Sequence, residues 1–201
     1  MILKSIKSKP ISRGLFHLIA GLFFPISALF VTKIIILISL STITAVFVSL
    51  DLLRFRYPGL ATWAFRTFRI FLRNSEKSQL TGASYLLVAS LISFLAFPRD
   101  IAVLSLCFLA VGDPLASMIG SQIGKIKIFD KTLEGTLVCF TACLVSGLIL
   151  LNFSINISWL LIIVGSFVAT LAEFMPLRIN DNILIPLSAG TVMLAVHSVI
   201  A

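Results

Sequence analysis

Charged residues are scarce in this 201-residue chain. Asp, Glu, Lys and Arg together make up 12% of it, about half of the ~25% that is usual in a soluble domain. Hydrophobic residues make up 59%, and the mean hydropathy is +1.11. These proportions exclude a water-soluble globular protein, and the chain is predicted to lie in a membrane.

Cysteine is also rare, and no cysteine-based site is expected. Cys107, Cys139 and Cys143 all fall inside apolar runs. Cys139 and Cys143 are one helical turn apart, but two thiols alone make a poor metal site, so they are expected to be small apolar side chains of a helix bundle. The basic start MILKSIKSKPISRG leads into an apolar run without an A-x-A-like site, so no cleaved signal peptide is expected.

Seven apolar runs are long enough to cross a membrane, which takes about 20 residues each. They lie near residues 14–32, 34–53, 80–97, 101–119, 135–152, 157–175 and 182–200. About 60 residues are left for loops and termini, so residues 1–201 are expected to form a single integral-membrane domain. The runs are continuous rather than alternating, which favours an all-α polytopic bundle over a β-barrel.

The basic residues are distributed asymmetrically between the two ends of these spans. An excess of Lys and Arg marks the cytoplasmic side. With the N-terminus in the cytoplasm, 14 of the 16 basic residues face that side, and only Lys33 and Arg99 lie opposite. All acidic residues except Asp100 follow the same side. Acids obey no strong topology rule, so their concentration predicts a functional site at the cytoplasmic face.

The longest loop, residues 54–79, contains a basic amphipathic segment that reads LATWAFRTFRIFLR. The two faces of the predicted helix consist of Ala61, Phe65, Phe68 and Leu72, and of Arg66, Arg69 and Arg73. Such a helix lies on the inner membrane surface. It would serve as an anchor there, or as part of the entrance for a lipid substrate, or as a source of positive charge for a nucleotide.

Asp113 is the most informative residue, because it stands inside an apolar run. A carboxylate in hydrocarbon costs roughly 2.5–3.5 kcal/mol, so it indicates a functional site by default; a structural hydrogen bond across the bundle is the alternative. Counted from Ile101, it lies about 18 Å along the helix and about 10 Å below the inner surface. Pro114 is expected to disturb the helix there and to free backbone groups.

Two stripes run along this span toward the cytosol. The polar stripe consists of Asp113, Ser117, Ser121 and Lys125, which are spaced by four residues. The stripe of small residues consists of Gly112, Ala116, Gly120 and Gly124. Small residues at this spacing suit close helix packing, and together with the lysines that follow they also suit a phosphate-rich ligand.

The glycine- and lysine-bearing loop 120–134 is predicted to lie in the cytosol, but it is not a Walker A loop. Three residues rather than four separate Gly120 from Gly124, and Ile126 stands where Ser or Thr belongs. The loop can still present backbone N–H groups and lysines to phosphates. Thr132 and Glu134 open the next span, whose N-terminal dipole favours an anion at the same site. Glu134 would be a first-turn helix residue, or else a metal ligand or base.

The last inner loop adds three polar candidates. Glu173 lies near the end of the sixth span, and Asp181 and Asn182 open the seventh. Asp181 could cap the helix, or these residues could bind a divalent cation, because such ions prefer hard oxygen ligands. Asp51 and Arg54 lie near the inner end of the second span and are expected to pair with each other.

Taken together, these segments resemble the CTP-dependent lipid kinases, which include dolichol kinase, phytol kinase and the CTP-type diacylglycerol kinase. The likeness covers nearly the whole chain. Its most specific part is Gly112-Asp113-Pro-Leu-Ala-Ser117 with Gly120, Gly124-Lys125 and Lys131-Thr132-Leu-Glu134-Gly135-Thr136. The other matching segments are Arg13-x3-His17, Asp51-Leu-Leu-Arg54 followed by the basic segment and Glu76, Gly82-Ala-Ser-Tyr-Leu-Leu, Phe97-Pro-Arg-Asp-Ile-Ala102, and Glu173 with Asp181-Asn182.

The resemblance implies transfer of the γ-phosphate of CTP to the hydroxyl of a membrane lipid alcohol, with Mg²⁺, at the cytoplasmic face. The acceptor would be diacylglycerol or a polyprenol- or dolichol-type isoprenoid, and no nucleic acid is expected as a partner. The implied catalytic residues are Asp113, Lys131 and Glu134. The implied nucleotide- and phosphate-binding residues are Gly112, Ser117, Gly120, Gly124, Lys125, Lys131, Thr132 and Gly135. The implied metal ligands are Asp113, Glu173, Asp181 and Asn182, and His17, Asp51 and Arg54 are further candidates.

Two other functions compete with this interpretation. A cytidylyltransferase that makes a CDP-lipid from a phosphatidate would also use CTP, Mg²⁺ and inner-face carboxylates, but the longer run of Lys, Arg and Asp ending in paired aspartates is absent from this chain. A small transporter or flippase would more often spread polar groups through the membrane depth. It would also keep translocating its substrate after the loss of Asp113.

Overall fold

The computed structural model describes residues 2–67, 76, 79–153 and 155–200. Within these residues the chain forms eight helices and one short β-hairpin. The helices are α1 (Ile2–Phe30), α2 (Lys33–Arg56), α3 (Pro58–Thr67), α4 (Gly82–Ala96), α5 (Arg99–Ile123), α6 (Leu133–Leu150), α7 (Trp159–Phe174) and α8 (Asp181–Ile200). The hairpin consists of β1 (Lys127–Ile128) and β2 (Lys131–Thr132), which pair antiparallel between α5 and α6.

Every predicted span coincides with one of these helices. Five of them, from α1, α2, α5, α6 and α8, are long and apolar enough to cross a membrane, and α4 and α7 are shorter apolar helices. The prediction of an all-α polytopic membrane protein is confirmed. The predicted loop 120–134 is shorter in the structure, because α5 continues to Ile123 and the hairpin takes up much of the remainder.

Helix α5 is the centre of the bundle. All ten residues from Ile101 to Ala110 are buried, as expected for a helix that is hydrophobic on every side. It packs against α1, α4, α6, α7 and α8. Pro114, which is expected to disturb the helix, does not end it, since α5 continues through it for nine further residues. Neighbouring helices support a proline at such a position.

The stripe of small residues on α5 is the surface on which α6 packs. A Cβ atom added to Gly112 would lie 2.7 Å from Cys143 Sγ, and one added to Gly120 would lie 2.6 Å from Thr132 Oγ1. On the opposite helix, a Cβ atom at Gly135 would lie 2.9 Å from the backbone oxygen of Ala116. The close approach of the two backbones therefore requires glycine at these positions.

Replacing Gly135 by alanine is expected to destabilise the bundle by about 1–3 kcal/mol, the usual cost of overpacking a core. The new methyl group meets backbone atoms of α5, which can give way only if the helix moves. Thermal unfolding in detergent measures the loss of stability, and a thiol-reactive dye reports unfolding through exposure of the three buried cysteines. Gly59→Ala is the matched control, because a Cβ atom at Gly59 on α3 meets nothing within 4 Å. Equal stability of the two variants would contradict the prediction.

The turns at one end of the bundle are tied together by three polar contacts. Arg99 donates from Nε to the carbonyl oxygen of Ala28 at 2.7 Å, and Lys33 Nζ donates to the carbonyl oxygen of Phe97 at 3.0 Å. Asp100 accepts from the backbone N–H of Asn156 at 3.0 Å. These contacts join the end of α1 and the start of α2 to the turn before α5, and the start of α5 to the segment before α7. The candidate site lies at the other end.

The first part of the predicted amphipathic helix is present as α3, which follows α2 directly. Trp63 and Arg66 are exposed on it. The remaining predicted residues, Phe68, Arg69, Leu72 and Arg73, lie outside the described residues.

Candidate active site

One lysine and two acids meet at the end of the bundle opposite the tied turns. Lys131 Nζ donates to Glu173 Oε1 at 2.7 Å and to Asp181 Oδ2 at 3.2 Å. Lys131 is 42 positions from Glu173 and 50 positions from Asp181 in the chain. The three residues come from β2, α7 and α8. Glu173 is 3% exposed, whereas the Lys131 and Asp181 side chains are 28% and 36% exposed. The cluster thus has a buried floor and an open rim.

The hairpin delivers Lys131 to this cluster. Its strands pair Lys127 with Thr132 and Ile128 with Lys131. Phe129, at the tip, has a φ of 55°, a left-handed conformation that costs a non-glycine residue roughly 1–2 kcal/mol. Its ring packs edge-on against the ring of Phe174 with centroids 6.1 Å apart. This contact joins the hairpin to the end of α7, immediately beside Glu173.

The cluster keeps Lys131 positively charged. Burial acts to lower its pKa, but the carboxylates of Glu173 and Asp181, with a further contribution from Asp113, outweigh burial and raise the pKa from 10.5 to about 12. The ammonium group therefore stays protonated through the physiological pH range. It is available to an anionic ligand whenever it leaves its two carboxylate partners.

Asn180 fixes the start of α8, while Asp181 accepts a hydrogen bond from Lys131. The side-chain oxygen of Asn180 accepts from the backbone N–H of Asn182 at 3.0 Å, and its carbonyl oxygen accepts from Ile183 and Leu184. Asn180 therefore caps this helix, and the alternative of a cap at Asp181 is not the one observed. Asparagine is among the preferred capping residues, but the neighbouring Asp181 and Asn182 are equally good capping residues by type, so the sequence alone left the choice open.

Asp113 lies close enough to the cluster to act on it electrostatically. Its carboxylate contributes to the potential at both Lys131 and Glu173. The side chain is half-buried, and no hydrogen bond or ion pair of this carboxylate occurs within the part of the chain that the structure describes. The alternative of a structural hydrogen bond across the bundle therefore finds no support there.

The other predicted residues of the loop hold its shape. Glu134 accepts from the backbone N–H of Lys125 at 2.9 Å and of Ile126 at 3.3 Å. Thr132 caps α6 by accepting from the N–H of Gly135 at 3.2 Å. The carboxylate of Glu134 is thus already bound to the loop, and the backbone N–H of Lys125 is already used. The Lys125 side chain is exposed.

Two of the predicted candidates lie away from these contacts. Ser117 is exposed on α5, one turn beyond Asp113, and His17 is half-buried on α1. The four glycines assigned to phosphate binding, Gly112, Gly120, Gly124 and Gly135, face backbone or side-chain atoms within the α5–α6 contact. Their positions are accounted for by helix packing.

A second polar cluster is buried at the C-terminal end of α2. Asp51 and Arg54 pair as expected, with Arg54 Nη2 3.0 Å from Asp51 Oδ1. The other oxygen of Asp51 accepts from the Thr81 N–H at 2.7 Å, the Thr81 hydroxyl at 2.9 Å and the Ser84 hydroxyl at 2.7 Å. Arg54 donates further to the carbonyl oxygens of Glu76 and Gln79. The pair therefore fastens the start of α4 to α2.

Sequence reasoning identified the pair and, within the matching segments, Glu76 and Ser84, but it missed Thr81 and Gln79. Thr81 stands immediately before an apolar run and caps α4 through Ser84, so the T-x-x-S pattern was a usable signal. Glu76 and Gln79 contribute backbone carbonyl oxygens, which no side-chain pattern can reveal.

Asp51→Asn is expected to destabilise the protein by about 3–5 kcal/mol, because it leaves the guanidinium of Arg54 buried without its counter-charge. The amide would also turn an N–H₂ group toward donors that now bind a carboxylate oxygen, or else give up one of these contacts. Both residues are deeply buried, at 6% and 4% exposure. Thermal unfolding measures the loss, with Asp130→Asn in the exposed hairpin turn as the control. A shift no larger than that of the control would refute the prediction.

No three His, Cys, Asp or Glu side chains come together as a metal site among the described residues. The donor chemistry nevertheless suits Mg²⁺. Glu173 Oε2 is buried without a hydrogen-bond partner within these residues, and Asp181 lies at the open rim. Mg²⁺ in nucleotide sites is usually held by one or two carboxylates together with substrate phosphates. Glu173 and Asp181 would be sufficient as the protein's contribution.

Comparison with known proteins places the chain in a family. It is 32% identical over 182 residues to a protein of Rickettsia prowazekii described only as uncharacterized, covering 88% of this chain and 89% of that one. It is 30% identical over 159 residues to CTP-dependent diacylglycerol kinase 1 of Schizosaccharomyces pombe, covering 71% and 72%. The chain belongs to the CTP-dependent lipid kinase family. It is also 30% identical over 198 residues to a probable chloroplastic phytol kinase of Triticum aestivum, covering 89% and 64%.

Membership of the CTP-dependent lipid kinases makes the protein a phosphotransferase that acts on a lipid alcohol. The family assignment made from the sequence motifs is confirmed. No family model matches the chain, and no solved structure matches it.

Proposed function

We propose that the protein transfers the γ-phosphate of CTP to the hydroxyl of a membrane lipid alcohol, with Mg²⁺, at the cytoplasmic face. The acceptor is diacylglycerol or a polyprenol-type isoprenoid. The names of the relatives support this class of reaction. The observation that carries the proposal is the group formed by Lys131, Glu173 and Asp181, in which one ammonium group contacts two carboxylates at one end of a membrane bundle. The carboxylate of Asp113 is near enough to act on this group electrostatically.

Phosphoryl transfer depends mainly on positioning and on neutralising charge. In the free protein Lys131 balances Glu173 and Asp181. When the nucleotide binds, we expect its ammonium group to turn to the phosphates, and Mg²⁺, held by Glu173 and Asp181, would neutralise phosphate charge. Lys125, exposed beside the hairpin, would add a second positive charge for the phosphates.

The acceptor hydroxyl requires a group that positions it and takes its proton. Asp113 is suited to this role, because its carboxylate is half-buried within a span. As the acceptor oxygen forms its bond to the γ-phosphorus, its proton passes to a carboxylate oxygen of Asp113. The bond between the γ-phosphorus and the bridging oxygen breaks, and CDP leaves. The alternative role for Asp113 is that of a further Mg²⁺ ligand.

The proposal is tested with detergent-purified protein, Mg²⁺ and labelled nucleotides. CTP, ATP and GTP carrying label on the γ-phosphate are offered with diacylglycerol, a polyprenol and phytol in turn. Label appearing in lipid from CTP identifies the donor and names the acceptor. A parallel reaction uses CTP labelled on the α-phosphate with phosphatidate. Transfer of that label to lipid, with release of pyrophosphate, would establish a cytidylyltransferase instead.

A further inference from the structure

A side-chain amide connects the candidate active site to the buried Asp51 cluster. Asn182 Nδ2 donates to the carbonyl oxygen of Gly82 at 2.9 Å, across 100 positions of the chain. Asn182 is 7% exposed. It is the second residue of α8, next to Asp181, and Gly82 is the first residue of α4. The hydrogen bond thus joins the starts of two helices.

We infer that Asn182 is a positioning residue for Asp181, clamping the start of α8 to the start of α4. The inference rests on the proposed function, because it assumes that Asp181 acts on the nucleotide or its metal. The Asp181 side chain lies at the rim of the site, where it is 36% exposed. Asp181 is the first residue of α8, so its backbone position depends on what holds the first turn of that helix, where Asn180 supplies the cap and Asn182 supplies the contact to α4.

The clamp is fastened to a rigid partner. The backbone N–H of Gly82 donates to Glu76 Oε1 at 3.1 Å, and the preceding residue, Thr81, is held by Asp51 through both its N–H and its hydroxyl. Asp51 in turn is paired with Arg54. Both polar groups of the Gly82 backbone are therefore used, one toward the Asp51 cluster and the other toward Asn182.

The geometry defines a donor role for Asn182. A carbonyl oxygen can only accept a hydrogen bond, so the amide nitrogen must face Gly82. Mg²⁺ binds oxygen and not an amide nitrogen, so the metal-ligand role that the sequence suggested would fall to the other atom of the amide, Oδ1. The contact to Gly82 assigns the clamp to Nδ2, and an experiment separates it from the metal-ligand role.

Asn182→Asp separates the two roles. Aspartate has almost the same shape and is a better Mg²⁺ ligand than an amide, but it cannot donate to Gly82. A clamp predicts that kcat falls roughly 10–100-fold, as is usual when a supporting contact of a metal or catalytic residue is removed, while the apparent affinity for Mg²⁺ does not increase. A kcat close to that of the wild type, or tighter Mg²⁺ binding with retained turnover, would overturn the inference.

Hydrogen exchange provides a readout that does not depend on activity. Asn182→Asp should accelerate amide exchange in the first turns of both α4 and α8. Ser188→Ala is the matched control on α8, because the hydroxyl of Ser188 bonds only to carbonyl oxygens of its own helix, and it should leave both turns and the turnover unchanged. Unaltered exchange in Asn182→Asp would refute the clamp. Absence of kinase activity in the wild-type protein would instead refute the proposed function, and the exchange comparison would still stand.

Discussion

Asp113→Asn should reduce phosphate transfer to lipid by about 10²–10⁴-fold, the usual contribution of a general base, without destabilising the protein. The amide keeps the size of the side chain but can neither take the proton of the acceptor hydroxyl nor bind Mg²⁺ as a charged ligand. No hydrogen bond or ion pair of Asp113 within the described residues is lost. Repulsion from the nearby Glu173 is relieved while attraction to Lys131 is lost, so thermal stability should change little. Initial rates with labelled CTP and thermal unfolding measure the two effects.

Asp100→Asn is the matched control for this variant. It makes the same chemical change on the same helix, 13 residues away at the tied end of the bundle, where Asp100 accepts from the backbone of Asn156. Its turnover should stay near that of the wild type. The Mg²⁺ dependence of the residual Asp113→Asn activity separates the two proposed roles, since only a metal ligand should weaken the apparent affinity for Mg²⁺. Full turnover of Asp113→Asn would defeat the proposed mechanism.

Lys131→Met should lose both activity and stability. Removing the ammonium group leaves Glu173 buried without a counter-charge, which costs about 3–5 kcal/mol for a fully buried pair and less here, because Lys131 is 28% exposed. Loss of a cation aimed at developing phosphate charge should lower kcat by a further factor of about 10²–10³. Lys127→Met, which removes an exposed charge from the same hairpin, should lose little of either.

A double variant separates the structural effect of the Lys131–Glu173 pair from its effect on catalysis. In Lys131→Met combined with Glu173→Gln, no unpaired charge is left on the buried floor, so much of the thermal stability should return. Activity should not return with it. If the double variant regained turnover together with stability, Lys131 and Glu173 would serve only to hold the fold.

The sequence predicted the spans well because their signal is local and strong. Each predicted run agrees with a helix to within a few residues, apart from the longer extension of α1 toward the N-terminus. The site was partly predictable for a similar reason. An acid within an apolar run, such as Asp113, or one opening a span, such as Asp181, stands out from its surroundings regardless of its partners.

The hydrogen-bond partners of these site residues could not be predicted, because they are determined by packing between segments that are far apart in the sequence. Nothing local indicates that Lys131 would reach Glu173, since that contact depends on the left-handed turn at Phe129 and on its packing against Phe174. The glycines of α5 illustrate the converse. Their spacing fitted phosphate binding and helix packing equally well, and the position of α6 explains them by packing.

The two short helices have a consequence for the bilayer itself. Gly82 on α4, Asp113 on α5 and Glu173 on α7 each lie 14 residues from the tied end of their helices, or about 21 Å along the axis. A hydrocarbon core is about 30 Å thick. If the tied end lies at one membrane surface, α4 ends about 9 Å below the opposite surface. Helix α7 has only one residue beyond that depth. This mismatch favours local thinning of the membrane. Under the proposed function, a nucleotide from the aqueous side and a lipid headgroup in the thinned bilayer would then meet near the depth of Asp113.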